Sequence, residues 1–252
     1  MSAVLEQVSA PARLPARRLP AEVKIVAAIA FTFAVVATPR EVLWAFALYF
    51  SIVVAVCAAA RIRLSWLLPR LSIEVPFVAL AVLLPFAESG SRVEVLGLSL
   101  SVPGLYAAWG ILVKGTLGVL ASLVLAATTP VQDLPGGLTR LRVPSLVTTV
   151  VLLMLRYVGL LTDEARRMDV ARRSRGDDPR MLSRIGATAR GVGVLFVRAY
   201  ERGERVHSAM LSRGFTGSVP TTGAAAGATA WMQGLTPAVL AAAVCAAAWS
   251  TV

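Results

Sequence analysis

Apolar residues in this chain gather in long runs, not in the three-and-four spacing of a soluble amphipathic helix. Five runs approach the roughly 17–25 residues that a helix needs to cross a bilayer. They cover 23–38, 41–60, 73–87, 104–128 and 228–252. The first is short and stopped by Pro39, and the second ends at Arg61-Ile62-Arg63. The third carries Pro76 near its start and Pro85 near its end, a pattern that predicts a broken or tilted helix. The fifth is Ala-rich, with Trp231 and Trp249 placed as interfacial anchors. Between the third and fourth runs, residues 88–102 alternate through Val93, Val95, Leu98 and Leu100, which reads as a short extracytoplasmic hairpin or loop.

The pattern changes over 130–222, which holds 15 Arg and 8 acidic residues, net +7. A short helix is expected over 134–141. Val143-Pro144-Ser145 can start the next, with Pro at its first position. Its apolar run, 146–161, continues into 162–175. Arg156 and Tyr157 interrupt that run, so a sixth span there is the less favoured alternative. Asp177-Asp178-Pro179 reads as a turn and a fresh start, with one or two helices over 179–211. The expected fold is therefore an all-α membrane protein of about five transmembrane helices. A tail without regular structure covers 1–22, four spans lie within 23–129, a large cytoplasmic helical segment covers 130–222, and the last span lies within 223–252.

Composition agrees. The 252 residues are 57% hydrophobic, with a mean hydropathy of +0.73. The net charge of +11 could suit nucleic acid, but its distribution points to a membrane instead. Residues 1–24, 61–70 and 130–222 hold 22 of the 25 Lys and Arg. The opposite side holds Arg40 and Arg92, and Lys114 lies within a span. The positive-inside rule then places the N-terminus and 130–222 in the cytoplasm and the C-terminus outside, in an inner (cytoplasmic) membrane.

The chain offers little for catalysis, and no catalytic residue is assigned. His207 is the one histidine, and no His/Cys/Asp/Glu set has metal-ligand spacing. Neither a Gly-x-Ser-x-Gly nor a GxxxxGK[ST] pattern is present. Gly191-Val192-Gly193 lacks the rest of a nucleotide fingerprint and reads as helix packing. Cys57 and Cys245 both sit in apolar runs, as small apolar residues do. Lys114 shares a helical face with Ala107, Gly110, Gly118 and Ala121. That small-residue face lets a helix approach closely, and the cation needs a partner, a cavity or an interface.

One short pattern occurs twice. Ser174-Arg175-Gly176 recurs 38 residues later as Ser212-Arg213-Gly214. Counting back, Asp163 aligns with Glu201, Arg167 with Arg205, and Ala171 with Ala209. The spacing of four puts acid, Arg, Ala and the final Arg on one stripe of each helix, and each Gly can end its helix in a left-handed turn. A lipid-facing basic surface needs charge but not the same ending twice. Two equal ends fit two equal acidic sockets, and the planar guanidinium suits carboxylates.

At these residues the chain resembles the transmembrane T component of energy-coupling-factor (ECF) transporters, the EcfT/CbiQ family, most strongly over 128–215. That family carries two Ala-Arg-Gly-like tripeptides at the ends of two cytoplasmic coupling helices. Here both read Ser-Arg-Gly, a small departure in volume. Residues 198–215 (RAYERGERVHSAMLSRGF), 128–138 (TTPVQDLPGGL) and 141–144 (LRVP) look like the cobalt-type branch. The resemblance implies a membrane scaffold of an ABC importer, with 130–222 as its coupling segment. Its implied partners are two ABC ATPase subunits, a homo- or heterodimer, and a membrane-embedded substrate-binding S component. ATP and Mg would bind in the ATPases, leaving no cofactor or metal in this chain, and no nucleic acid. Arg175 and Arg213 would contact the ATPases. Lys114, Gly110 and Gly118 are candidate contacts for the S component or another helix. The implied cargo is cobalt, with nickel close behind and a vitamin such as biotin as the alternative.

Two readings of other classes compete. A membrane enzyme acting on an anionic lipid phosphate would need Asp163, Glu164 or Asp169 as acid or base. Those residues read better as helix-surface partners, Asp163 with Arg167 and Asp169 with Arg173. A basic membrane anchor without transport would depend on total charge, not on the two tripeptides.

Overall fold

The computed structural model describes residues 19–62, 64–87, 91–95, 98–176, 181–219 and 225–251. The N-terminal tail and the Asp177-Asp178-Pro179 turn therefore lie mostly or wholly outside the described residues. In chain order, helix α1 is Ala21–Ala37, α2 is Leu43–Ala59 and α3 is the single turn Leu64–Leu67. A 3₁₀ helix, Leu68–Glu74, leads into α4, Val75–Ala87. Strands β1 (Arg92–Val95) and β2 (Leu98–Ser101) pair antiparallel, Arg92 opposite Ser101 and Val95 opposite Leu98. That is the hairpin expected from the alternation. Helix α5 follows (Val102–Thr128), then a 3₁₀ turn (Val131–Asp133) and the short α6 (Leu134–Arg140). The long helices α7 (Ser145–Ser174) and α8 (Met181–Ser212) precede the last, α9 (Ala228–Trp249).

The chain divides into two compact units. Among the described residues one spans 138–219; the other joins 19–137 with 225–251.

In the second unit α1, α2, α5 and α9 share a core of Phe31, Val35, Phe46, Tyr49, Leu117 and Ala241. Small residues let the helices close. A side chain at Gly234 of α9 would run into Val23 of α1, and one at Gly104 of α5 would meet the backbone of Leu84 and Pro85 in α4 at 2.8–2.9 Å. Polar groups in this core pair with one another, as a low-dielectric interior requires. Thr38 and Tyr49 hydroxyls lie 2.7 Å apart, and Tyr49 donates to the Ala241 carbonyl at 3.3 Å. The end of α1 is closed in the same way. A helix leaves its last carbonyls without backbone donors. Here Lys114 Nζ donates to the Val36 and Thr38 carbonyls at 2.8 and 2.7 Å, and Trp249 Nε1 to Ala37 at 3.0 Å.

Among the described residues four stretches are long and apolar enough to cross a membrane: Pro69–Phe86, α5, α7 and α9. The expected count of five therefore changes in detail. Helices α1 and α2 have 17 residues each, about 25 Å at 1.5 Å per residue, short of a hydrocarbon core of about 30 Å. The third span extends back through the 3₁₀ helix, and Pro85 lies inside α4. Helix α7 is unbroken over 30 residues. Arg156 and Tyr157 lower its hydrophobicity but do not interrupt its backbone. Pro144 is its cap rather than its first residue, and 179–211 holds one helix rather than two.

Candidate functional site

The repeated sequence produces a repeated backbone. Gly176 and Gly214 have φ of +79° and +82°, the left-handed region in which glycine has no Cβ penalty. Each glycine N–H reaches back three residues, Gly176 to the Arg173 carbonyl at 3.1 Å and Gly214 to Leu211 at 2.9 Å. At the second end Phe215 N–H also bonds the Met210 carbonyl at 3.0 Å, completing a Schellman closure. The exposed serines bond back to their own helices: Ser174 Oγ donates to Ala171 O at 2.9 Å and Ser212 Oγ to Ser208 O at 3.0 Å. Their hydroxyls are satisfied within their own helices. Arg175 and Arg213 are left exposed at the two tips.

The acidic stripes behave differently on the two helices. Asp169 pairs with Arg173 at 2.6 Å, as its spacing suggests, and also with Arg172 at 2.8 Å. Glu201 reaches Arg205 at 3.9 Å. Asp163 does not pair with Arg167. It approaches Arg166 at 3.9 Å, while Arg167 bonds Glu164 at 2.9 Å. Glu164 sits on the side facing α8 and draws Arg167 around by one position. Hydrogen bonds from Arg167 and then Arg198 hold the Glu164 carboxyl below the usual carboxylate range. At Asp169 partial desolvation acts upward, and Arg173 and Arg172 outweigh it, so its carboxyl is also lowered.

The Glu164–Arg198 ion pair joins α7 to α8. Gly191 lies against the Met168 side chain, at 3.8 Å from a Cβ built there, so this glycine serves helix packing. Farther along, Tyr157 and Leu161 of α7 share a cavity of about 180 Å³ with Ala199, Val206 and Met210 of α8. Rising numbers on one helix meet falling numbers on the other, so the two run antiparallel. The Ser-Arg-Gly tips therefore point away from the crossing in opposite directions. Ser174 is ten residues past the ion pair and Ser212 fourteen, which at 1.5 Å per residue puts the tips about 15 and 21 Å along their helices from it.

Both helices also expose apolar residues at steps of four: Val150, Met154 and Val158 on α7, and Val192, Phe196 and Tyr200 on α8. Sequence reasoning missed the second stripe because arginines interrupt it. It missed Glu164–Arg198 because no helical spacing links the two.

The other candidates fall in the membrane unit. Lys114 bonds to the end of α1. Gly110 packs on the Arg40 side chain, 3.3 Å from a built Cβ, whereas Gly118 has nothing within 4 Å. The small-residue face is thus not one continuous helix contact. The close approach lies instead at Gly104. Among the described residues no group of three His, Cys, Asp or Glu could hold a metal ion.

The family model for the cobalt transport protein CbiQ matches residues 12–222. The chain belongs to the CbiQ family. It is a multi-pass membrane protein of that family. It is 30% identical over 149 residues to the cobalt transport protein CbiQ of Rhodobacter capsulatus, covering 57% of this chain and 61% of the relative. Two uncharacterized proteins of Methanocaldococcus jannaschii are also similar. MJ1089 is 31% identical over 112 residues (44% of this chain, 42% of the relative), and MJ1571 is 26% identical over 183 residues (67% and 61%). The alignments thus cover less than two thirds of the length of each relative. The part of the CbiQ family match that carries the repeat, up to residue 222, includes both Ser-Arg-Gly tips.

Proposed function

We propose that this chain is the membrane scaffold that couples a pair of ABC ATPases to a substrate-binding S component in a cobalt importer. The observation that carries this reading is the pair of matching helix ends. The same three residues end in a left-handed glycine twice, with the serine hydroxyl bonded to its own helix and the arginine exposed, at opposite ends of an antiparallel pair. Arg175 and Arg213 are the coupling residues, each entering an acidic groove of one ATPase. Ser174, Gly176, Ser212 and Gly214 shape the tips. Asp163, Arg167, Ala171, Glu201, Arg205 and Ala209 support them. The membrane helices offer a face to the S component. In this reading the N-terminus and coupling segment are cytoplasmic, and α7 is a coupling helix rather than a span.

Cobalt follows from the family, that of the cobalt transport protein CbiQ, and from the Rhodobacter capsulatus relative of the same name. The S component binds the cargo, and ATP and Mg bind in the ATPases. The test is charge reversal at the tips. Arg175→Glu with Arg213→Glu should abolish ATPase co-purification and cobalt uptake while the protein still inserts into the membrane. Normal ATPase capture and uptake by the double variant would overturn the reading. Uptake of a vitamin such as biotin in place of cobalt would keep the scaffold and replace the cargo. Hydrolysis of a lipid phosphate by the purified chain would point to the enzyme alternative.

A further inference from the structure

The Glu164–Arg198 pair divides the space between α7 and α8 in two. On the side of Ser212 lies the small cavity of about 180 Å³. On the side of Ser174 lies an open groove of about 880 Å³ that runs from Glu164 and Arg198 to Arg175 and Gly176. The first tip thus borders the groove, and Arg213 of the second does not. Around it stand five arginines, Arg167, Arg172 and Arg175 of α7 with Arg190 and Arg198 of α8, against two acids, Glu164 and Asp169. Both acids are engaged already, Glu164 by Arg167 and Arg198, Asp169 by Arg172 and Arg173. Arg190 Nε donates to the Gly186 carbonyl of its own helix at 3.4 Å. Among the described residues neither Arg190 nor Arg175 has a carboxylate partner.

We propose that this groove receives an acidic segment of the ATPase that the first tip engages, with Arg190 as a second contact beside Arg175. That the partner is an ATPase rests on the coupling reading; that the occupant is an acidic peptide follows from the groove. Its cationic surplus asks for an anion, and a guanidinium without a carboxylate can take one in its planar fork. The cations are spread out rather than gathered on one point, as a lone phosphate would need. From Glu164 to Arg175 is eleven residues of helix, about 16 Å, which about five residues of extended chain would span. Between the arginines lie Met168 of α7 and Val192, Val194 and Leu195 of α8, apolar contacts that suit the mixed side chains of a polypeptide. The groove also opens at Gly176, beside the tip itself. The two tips share one backbone closure but not one setting, so the contact at Arg175 is the broader and the more sensitive to salt.

The full-length protein is held in phosphatidylcholine nanodiscs, whose lipid has no net charge, and titrated with fluorescein-labelled hexaglutamate at about 50 mM salt to limit screening. Fluorescence anisotropy reads the binding. Arg190→Glu should weaken it about five-fold or more, because one pair is lost and a repulsion gained. Arg166→Glu makes the same charge change on the side of α7 away from the groove and should alter binding by less than about two-fold. Size exclusion and circular dichroism check folding, and if Arg190→Glu does not fold, the same weakening in a smaller degree is read from Arg190→Gln. Arg190→Glu should also lower ATPase co-purification, with the loss greatest at low salt. The groove and the coupling reading fail separately. If Arg175→Glu with Arg213→Glu leaves ATPase capture intact, the coupling reading falls, and with it the ATPase as the source of the peptide. If hexaglutamate does not bind, binds the Arg190 variants as it binds the wild type, or is weakened as much by Arg166→Glu, the groove is not an acidic-peptide site and the proposal is overturned. Unchanged ATPase capture by Arg190→Glu, with the tips still required, overturns Arg190 as an ATPase contact.

Discussion

Glu164 of α7 accepts from Arg198 of α8, and the same carboxylate accepts from Arg167 of its own helix. One acid thus serves as the charged pin between two helices that otherwise touch over a short crossing. Both arginines hold its pKa down, so the sign is that of a lowered carboxylate. The contribution is present above the unfolded value of about 4.3 and is lost as pH falls through the folded value. Spin labels on α7 and α8 should report a broader inter-helix distance distribution below about pH 4. Glu164→Gln should show that broadening already at pH 7. A distribution unchanged by both acid and mutation would remove the pin from the account.

Lys114→Met should destabilise the membrane unit by about 1.5–3 kcal/mol, the scale of charge-assisted hydrogen bonds. Two carbonyls at the end of α1 would lose their donor in a setting where lipid offers no replacement. Thermal unfolding in detergent measures this. An unchanged melting temperature combined with loss of a membrane partner would move Lys114 from intramolecular cap to partner contact.

Gly104 and Gly118 lie on the same helix and should respond in opposite senses. Gly104→Ala places a methyl 2.8 Å from Pro85 Cα and 2.9 Å from the Leu84 carbonyl oxygen. Backbone cannot move aside cheaply, and a cost of about 1–3 kcal/mol is expected. Gly118→Ala meets open space and should be neutral or stabilising by up to about 1 kcal/mol, the helix-propensity difference. Paired melting curves decide.

At the tips, Gly176→Ala and Gly214→Ala each force a Cβ into left-handed backbone, at about 1–2 kcal/mol. The expected outcome is reduced ATPase capture with the membrane unit's melting unchanged. Ser174→Ala and Ser212→Ala remove only hydroxyls that bond within their own helices, and capture should stay near wild type. Equal loss for Ser and Gly variants would mean that the hydroxyls meet the partner after all.

The helices were legible because their signals are local. Run length, the period-two stretch before α5, and the glycine five residues beyond each Arg–Ala step all act within a few residues. What escaped required a second element. The close approach of α4 and α5 depends on which glycine of α5 faces Pro85, and composition favoured the wrong part of the helix. Lys114 was legible as a cation in need of partners. Its partners are backbone carbonyls of α1, which no side-chain pattern announces. Asp163 and Glu164 are adjacent and equal in charge, so spacing alone could not say which would turn toward Arg167. Arg198 on the neighbouring helix settled it.

The ten and fourteen residues that separate Ser174 and Ser212 from the Glu164–Arg198 pin make a lever with unequal arms. At 1.5 Å per residue the arms are about 15 and 21 Å. A 10° rotation about the pin moves one tip by about 3 Å and the other by about 4 Å for the same arm geometry. Two identical sockets closing symmetrically would therefore drive the two helices through different angles. The difference has to be taken up beyond the pin, where the rest of the chain begins.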